Sequence, residues 1–336
     1  MRQKIDIVIP WVDGSDEKWL KEKFMYSEGS DVPDEKIADA AKCFRDWGLM
    51  RYWFRGIEKF APWVRTVHFV TYGHLPEWLN TDNPKLHIVK HTDFMPEGSL
   101  PTYNSRALEL NIHRIPGLAE QFVYFNDDTF LVSKTKASDF FKHGLPRDYA
   151  IMSPVNPNRF GTGAVQINDL EIVNDHFGGF DAFRKNKKKW LSPVYGVQMF
   201  RTVLMLPFKR MFGFYERHLP NSYRKSTYEE VWRAEPEVLM ATTKSRFKKK
   251  DNVNQWIMRY WQLASGKFVP RSPNIGYSYY SKTKKDLDDA CNAIISQKKK
   301  IICINDDKGI EDVSLCSKRL SKAFTIILPE KSKFEK

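Results

Sequence analysis

Residues 5–19 read IDIVIPWVDGSDEKW. Ile5–Trp11 is short and rich in β-branched residues, the composition of a buried strand. It runs straight into Asp13-Gly14-Ser15-Asp16, a turn cluster that ends the strand in carboxylates. The same pairing of apolar run and polar stop recurs along the chain. Thr66–Thr71 (TVHFVT), Leu86–Val89, Gln121–Phe125 (QFVYF) and Ile301–Ile304 read as further strands. Between them, Ala40–Phe60 places Trp47, Met50, Phe54, Ile57 and Phe60 three or four apart, and Ser105–Ile112 has a similar helical pattern. Strands alternating with helices predict an α/β fold with a largely parallel twisted sheet.

The composition narrows the classes. In 336 residues, 42% hydrophobic and 14% aromatic, there is ample material for a packed core, which excludes disorder as the dominant state. No run of about 18 uncharged apolar residues predicts a transmembrane helix, and the N-terminus enters the first strand without a secretory signal. The four cysteines, Cys43, Cys291, Cys303 and Cys316, form no CxxC pair. That argues against a structural zinc site or a disulfide scaffold and for a cytoplasmic chain. Lys+Arg exceeds Asp+Glu by 54 to 41, a formal charge of +13 that leaves nucleic acid, an anionic membrane or a phosphate-bearing substrate open as partners.

In α/β sheets, ligands bind beyond the carboxyl ends of the strands. Three apolar runs end there in acidic or polar clusters: Trp11–Asp16, Phe125–Asp128 and Ile304–Asp307. Asp favours turns in general, so one such cluster means little. Three in one domain favour a divalent cation holding a diphosphate. Pro101–Ser105 is a polar loop before a helix, in which Asn104 or Ser105 could cap the helix or its N-terminus could meet a phosphate. His113 and His218 are candidate bases, although a lone histidine is more often structural. Arg246 lies in a basic run that is either a solvated face or a phosphoryl contact.

Four segments carry a family resemblance: IDIVIPWVDGSDEKW (5–19), FRDWGLMRYWFRGIEKFAPWVRTVHFVTYGHLPEWLN (44–80), LPTYNSRALELNIHRIPGLAEQFVYFNDDTFL (100–131) and KIICINDDKGI (300–310). Together with His218, Pro220, Lys225 and Ser245-Arg246-Phe247, they resemble the Stealth proteins. These are bacterial capsular polysaccharide phosphotransferases related to the catalytic core of GlcNAc-1-phosphotransferase. Leu49, Trp53 and Gly56 depart from the usual pattern of the second region, and residues 183–214 align with no family segment.

The resemblance implies transfer of a sugar-1-phosphate from a nucleotide sugar to a glycan hydroxyl, with release of a nucleoside monophosphate. It also implies a GT-A/Rossmann-like nucleotide-sugar fold. The pattern along the chain divides it into an α/β core over 1–180 and 295–312, a mainly helical insertion on the acceptor side over 181–294, and a basic C-terminal tail over 313–336, expected to fray at its end. His218, Arg246 and Asp128 are the implied catalytic residues, His218 acting as base or, alternatively, as a covalent nucleophile. Trp11, Asp13, Arg51, Asn104 and Asn126 are expected to contact the donor. Asp127, Asp306 and Asp307 are expected to hold Mg²⁺ or Mn²⁺.

Two other classes compete: a GT-A glycosyltransferase that breaks the C1–O bond and releases a nucleoside diphosphate, and a basic nucleic-acid-binding protein. The chain has neither a helix-turn-helix nor an RNP-type aromatic motif, so nucleic acid is not an expected partner. The stretch 183–214 mixes lysines with Trp190, Phe200, Leu204, Leu206, Phe208 and Phe212. It reads either as a peripheral contact with an anionic membrane, where a lipid-linked glycan grows at its inner face, or more simply as a buried insertion with a solvated lysine face.

Overall fold

The computed structural model describes residues 4–28, 47–156, 162–280, 283–305 and 312–336. In chain order, the first half contains β1 (Ile5–Trp11), α1 (Glu17–Glu28), α2 (Met50–Phe60), β2 (Val67–Thr71), β3 (Leu86–Lys90), α3 (Ser105–Asn111), β4 (Gln121–Tyr124) and β5 (Thr129–Leu131). The middle contains α4 (Ala137–Phe140), β6 (Phe141–Lys142), β7 (Leu145–Asp148), α5 (Gly163–Phe177), α6 (Gly179–Trp190) and α7 (Met199–Met205). It continues through β8 (Asn221–Arg224), α8 (Lys225–Ala234), α9 (Pro236–Thr243) and α10 (Trp256–Ala264). The last part contains β9 (Val269–Pro270), β10 (Gly276–Tyr280), α11 (Lys284–Ser296), β11 (Ile301–Asn305) and α12 (Val313–Ile327). Residues 40–46 of the predicted first long helix lie outside the described residues.

The main sheet has the order β3-β2-β1-β4-β8. Its first four strands are parallel, as the alternating pattern predicts, and β8 is antiparallel to β4. The sequence of β1 explains its central place. Ile5, Ile7, Ile9 and Trp11 point to one core, under α2, α11 and α12, while Val8 points to the other, under α3, α5 and α8–α10. Only Asp6 breaks the apolar run, and it is fully buried. Its carboxylate accepts from Arg65 Nε at 2.7 Å and from the Ala119 N–H at 2.8 Å, and meets His68 Nε2 at 3.0 Å. Burial alone would raise its pKa, but Arg65, His68 and the Ala119 amide outweigh burial and hold it below the ordinary carboxylate value.

α2 crosses a second sheet of order β10-β11-β5 at Gly56, where a Cβ would stand 2.9 Å from the Leu131 carbonyl oxygen. The glycine is what lets helix and strand approach so closely.

Three sequence expectations change. Asn221–Arg224 lies within the stretch read as a helical insertion, yet β8 is the fifth strand of the main sheet. The strand at Ile301–Asn305 belongs to the second sheet, parallel to β10 and antiparallel to β5. The C-terminal segment is not frayed. α12 buries Leu320, Ala323, Phe324 and Ile327, and Phe334 reaches the same core. Glu335 takes both nitrogens of a bidentate Arg55 at 2.8 Å each, which anchors the last residues. No described helix is long and apolar enough to cross a membrane.

Candidate active site

The carboxyl ends of β1 and β2 form one wall. Trp11 stacks on Phe69 with ring centroids 5.5 Å apart and meets the His74 ring edge-on at 5.4 Å. The Asp13 N–H donates to His74 Nε2 at 2.7 Å, so that nitrogen is an acceptor and the ring proton sits on Nδ1, 3.0 Å from Asp16 Oδ2. Asp13 itself accepts from the N–H and hydroxyl of Ser15, and Asp16 caps α1 through the N–H groups of Lys18 and Trp19. The cluster expected to meet the donor is therefore a rigid, self-hydrogen-bonded loop. It leaves Asp13 at the carboxyl end of the sheet, while Trp11, expected to meet the donor, is buried in the core beneath it.

The second wall is the turn after β4. Thr129 donates from its N–H and its hydroxyl to the Asn126 carbonyl, at 3.2 and 2.8 Å, which places Asp127 and Asp128 at the centre of a tight turn. Two other strands converge on it. Tyr124, the last residue of β4, pairs with Asn221, the first of β8, so the chain just before β8 must pass the turn. That chain carries His218, whose Nε2 lies 3.2 Å from Asp128 Oδ2 and 3.1 Å from Asn126 Nδ2. β11 arrives beside β5: the Ile304 N–H donates to the Asp128 carbonyl at 2.9 Å, and Cys303 Sγ is 3.3 Å from Asp128 Oδ2.

Nε2 of His218 can accept from the Asn126 amide only when bare and can donate to Asp128 only when protonated. One atom thus has a partner in each protonation state, which suits a proton acceptor. Burial opposes protonation of His218, but the hydrogen bond to Asp128 and the charges of Asp128, Asp127 and Glu109 prevail and raise its pKa above the ordinary imidazole value. His218 also holds a left-handed backbone, φ +48°, a conformation uncommon for residues other than glycine.

Asp128, His218 and Cys303 are the group among the described residues whose donor atoms could hold a metal ion. Asp128 Oδ1 is buried without a hydrogen-bond partner, an acceptor left open for a cation or a donor group. The membership differs from expectation: Asp127 is exposed and outside this set, Cys303 is within it, and Asp306 and Asp307 lie outside the described residues.

Sequence reading missed Glu109. It sits on α3 between Leu108 and Leu110, with no turn signal to mark it, and lines a small cleft with Pro10 and Tyr124 at the strand ends. Burial raises its pKa to about 7, partly opposed by Lys248, the Gln255 N–H, Arg106 and His218. Its Oε2 has no hydrogen-bond partner. The only sequence cue is a carboxylate placed among apolar helix positions.

The remaining expected residues fall elsewhere. Asn104 is fully buried and caps α3: its Oδ1 accepts from the Arg106 N–H at 3.2 Å, while Nδ2 donates to the Ser245 carbonyl at 2.9 Å and Asn252 Oδ1 at 3.0 Å. With both ends engaged, it ties the 245–252 loop to the helix, and a direct donor contact is not its role as folded. That loop carries Arg246, which donates from Nε to the Pro101 carbonyl at 3.1 Å and lies 4.1 Å over the Tyr26 ring. Arg51 is exposed and lies over Trp78, 5.3 Å away, in a group with Glu335 and Lys336 rather than with His218 and Asp128. His113 packs on Tyr228 and Trp232, and burial, with the charges of Arg114 and Lys225, lowers its pKa to about 3. It is a core histidine.

Two family models match the chain: Stealth protein CR1, conserved region 1, over residues 3–31, and Stealth protein CR2, conserved region 2, over residues 43–149. Over 334 residues the chain is 39% identical to the capsular polysaccharide phosphotransferase WcwK of Streptococcus pneumoniae, covering 99% of this chain and 98% of that one. The chain belongs to the Stealth family. Stealth region 1 spans β1 and α1, and region 2 runs from before α2 past β7. His218 and Cys303 lie outside both, so in this Stealth protein the candidate site joins distant segments to the Asp128 turn of region 2.

Two further relatives are the receptor polysaccharide phosphotransferase WefC of Streptococcus oralis, 39% identical with 99% of each chain covered, and the exopolysaccharide phosphotransferase cps2G of Lactiplantibacillus plantarum, 38% identical with 99% and 96% covered. Among solved structures, the galactosyltransferase LgtC in complex with donor and acceptor sugar analogues aligns over 98% of both chains, at a TM-score of 0.39 and 7% identity.

Proposed function

We propose that this protein transfers a sugar-1-phosphate, a hexose or N-acetylhexosamine phosphate, from a nucleotide sugar to a hydroxyl of a growing capsular or cell-surface glycan. The observation that carries the reading is His218 held between Asn126 and Asp128 at the carboxyl end of the parallel sheet, in a chain 39% identical to a capsular polysaccharide phosphotransferase. The acceptor oxygen attacks the phosphorus nearest the sugar, and its proton passes to His218 Nε2. The bond from that phosphorus to the nucleoside monophosphate breaks, and its electron pair leaves with the nucleotide. The sugar C1–O bond is untouched, so the product is a phosphodiester.

Positioning and charge neutralisation supply most of the catalysis in such transfers. Asp128 holds His218 in place and favours its protonated form as the proton arrives. Trp11 and Asp13 shape the nucleotide end. Arg246, fixed by Pro101 and Tyr26, keeps further N–H donors for the phosphoryl oxygens; removing such a group costs about 3 kcal/mol of transition-state stabilisation. Asp127 and Asp128, with Asp306 and Asp307 from the fourth region, are the residues that would hold Mg²⁺ or Mn²⁺, and the ion would neutralise diphosphate charge when bound. Cys303 is a soft ligand that Mg²⁺ would not use. We place the reaction in the cytoplasm, at the inner face of the membrane, on a lipid-linked acceptor.

The test is the leaving nucleotide. With a nucleotide sugar and an acceptor glycan, nucleoside monophosphate should appear together with a phosphodiester signal in the phosphorus NMR spectrum. Release of nucleoside diphosphate would instead assign the chain to the glycosyltransferases. His218→Ala should abolish turnover while leaving donor binding in place; near-normal turnover removes His218 from the mechanism.

A further inference from the structure

We propose that the face formed by residues 193–212 docks the protein on an anionic lipid surface. The reading of the acceptor as lipid-linked gives this surface its purpose, but the docking itself rests on separate observations.

α7 is turned inside out. Its one fully buried side chain is Thr202, which accepts from the Met152 N–H at 3.0 Å, and Met199 packs beside Tyr149, Ile151 and Tyr195. The opposite side carries Phe200, Val203 and Leu204, spaced three and four apart and therefore on one face. Phe200 and Leu204 are 62% and 68% exposed. The turn that follows continues the patch: Phe208 is 60% exposed and meets Phe212 edge-to-face at 5.4 Å, and Val197 is 77% exposed on the near side. Among the described residues, seven of the fifteen large exposed apolar side chains fall between 194 and 212. The sequence-based alternative of a buried insertion holds for Trp190 and Tyr195, which are buried, and fails for this face. A contiguous apolar patch of this kind marks an interaction site.

Charge selects the occupant. From Ala182 to Tyr215 the chain contains no Asp or Glu and eight Lys or Arg residues, a large part of the +13 excess. Arg201, Lys209 and Arg210 are exposed within the patch itself, and Asp175 and Asp181 share a cleft with the last two. A second copy of the chain would bring two such basic stretches together, and they would repel. Apolar side chains ringed by cations match a bilayer whose headgroups are anionic, where rings and Leu enter the acyl boundary and Lys and Arg meet phosphate.

The patch is also tied to the active site. From Phe212 the chain runs extended, through backbone bonds from Val155 to Phe212 (3.0 Å), Ser153 to Gly213 (3.1 Å) and Tyr215 to Ile151 (2.8 Å), and then reaches His218. Six residues span at most roughly 20 Å, so a docked protein holds His218 close to the membrane plane, within reach of a glycan attached to a lipid.

The experiment is flotation of the full chain with phosphatidylcholine vesicles, with and without phosphatidylglycerol. Binding is expected only with phosphatidylglycerol. It should fall about tenfold or more both in the double variant Phe200→Ser/Leu204→Ser and in Lys209→Glu/Arg210→Glu, with unchanged circular dichroism and melting temperature. No flotation with anionic vesicles overturns the proposal, as does equal flotation of both variants. Concentration-dependent dimers lost on Phe200→Ser/Leu204→Ser, without vesicle binding, assign the face to a second copy and also overturn it. Nucleotide release with a soluble acceptor separates the two readings. The variants should keep it, and a wild type that floats but releases no nucleoside monophosphate supports docking while refuting the proposed reaction.

Discussion

Asn104→Ala separates a donor contact from a structural brace. Asn104 is fully buried and sits between the N-terminus of α3 and the loop carrying Arg246. Alanine removes the helix cap, which costs about 1 kcal/mol. It also orphans the carbonyl of buried Ser245, while Asn252 Oδ1 keeps the Lys249 N–H at 3.0 Å; an unsatisfied buried polar group costs about 1–3 kcal/mol. The sum is roughly 2–4 kcal/mol, some 4–16 °C in melting temperature at about 2–4 °C per kcal/mol for a chain of a few hundred residues. The assay is differential scanning fluorimetry beside donor titration. The brace predicts a large loss of melting temperature, with donor binding weakened only as far as Arg246 is displaced. A variant with wild-type melting temperature that no longer binds donor would refute this reasoning and return Asn104 to the list of ligand contacts.

Two further predictions concern the scaffold. Gly56→Ala adds a Cβ 2.9 Å from the Leu131 carbonyl oxygen, a backbone atom that cannot turn aside; overpacking should outweigh the roughly 1 kcal/mol gain in helix propensity and lower stability by about 1–2 kcal/mol in a denaturant titration, so a stabilised variant would mean that the close approach is absent. Asp6 has its pKa depressed below 3.8 in the folded state by Arg65, His68 and the Ala119 amide acting against burial, so its contribution is present above pH ~4 and lost as pH falls through the folded value. Asp6→Asn should cost about 2 kcal/mol at neutral pH, discounted because the Arg65 side chain is 36% exposed, and should flatten the loss of stability below pH ~4. A wild-type acid profile in the variant would exclude Asp6 as its source.

The fold was legible where side chains repeat at a fixed period. β1, β2, β3 and β4 follow from short β-branched runs stopped by turn residues, and α2 from its spacing of three and four, because both patterns are local consequences of how Cβ atoms project. β8 was not legible. Asn221–Arg224 is four mostly polar residues, and nothing local makes it a strand; it is one because β4 offers an unpaired edge. The C-terminal residues were misread for a similar reason. Their charge suggests a solvated tail, but the Arg55–Glu335 pair and buried Phe334 are contacts across more than 270 positions.

The site divides the same way. The acidic turns after β1 and β4 were visible because turn residues and strand ends are local. Glu109 was not, since its raised pKa comes from burial and distant charges. Asn104 was visible as a cap, but its second set of partners, more than 140 positions away, makes it a brace.

By itself, the sequence determined the α/β class, the parallel core of the sheet, the family and the carboxylate turn at Asn126–Asp128. Each of these is written in contiguous residues. Tertiary structure alone decided that His218 and Cys303 meet Asp128, because only the pairing of β8 with β4 and of β11 with β5 carries those residues to one turn. It also decided which part of the basic excess borders an exposed apolar face, since amphipathicity can point inward or outward and only packing on Thr202 and Met199 fixes the direction.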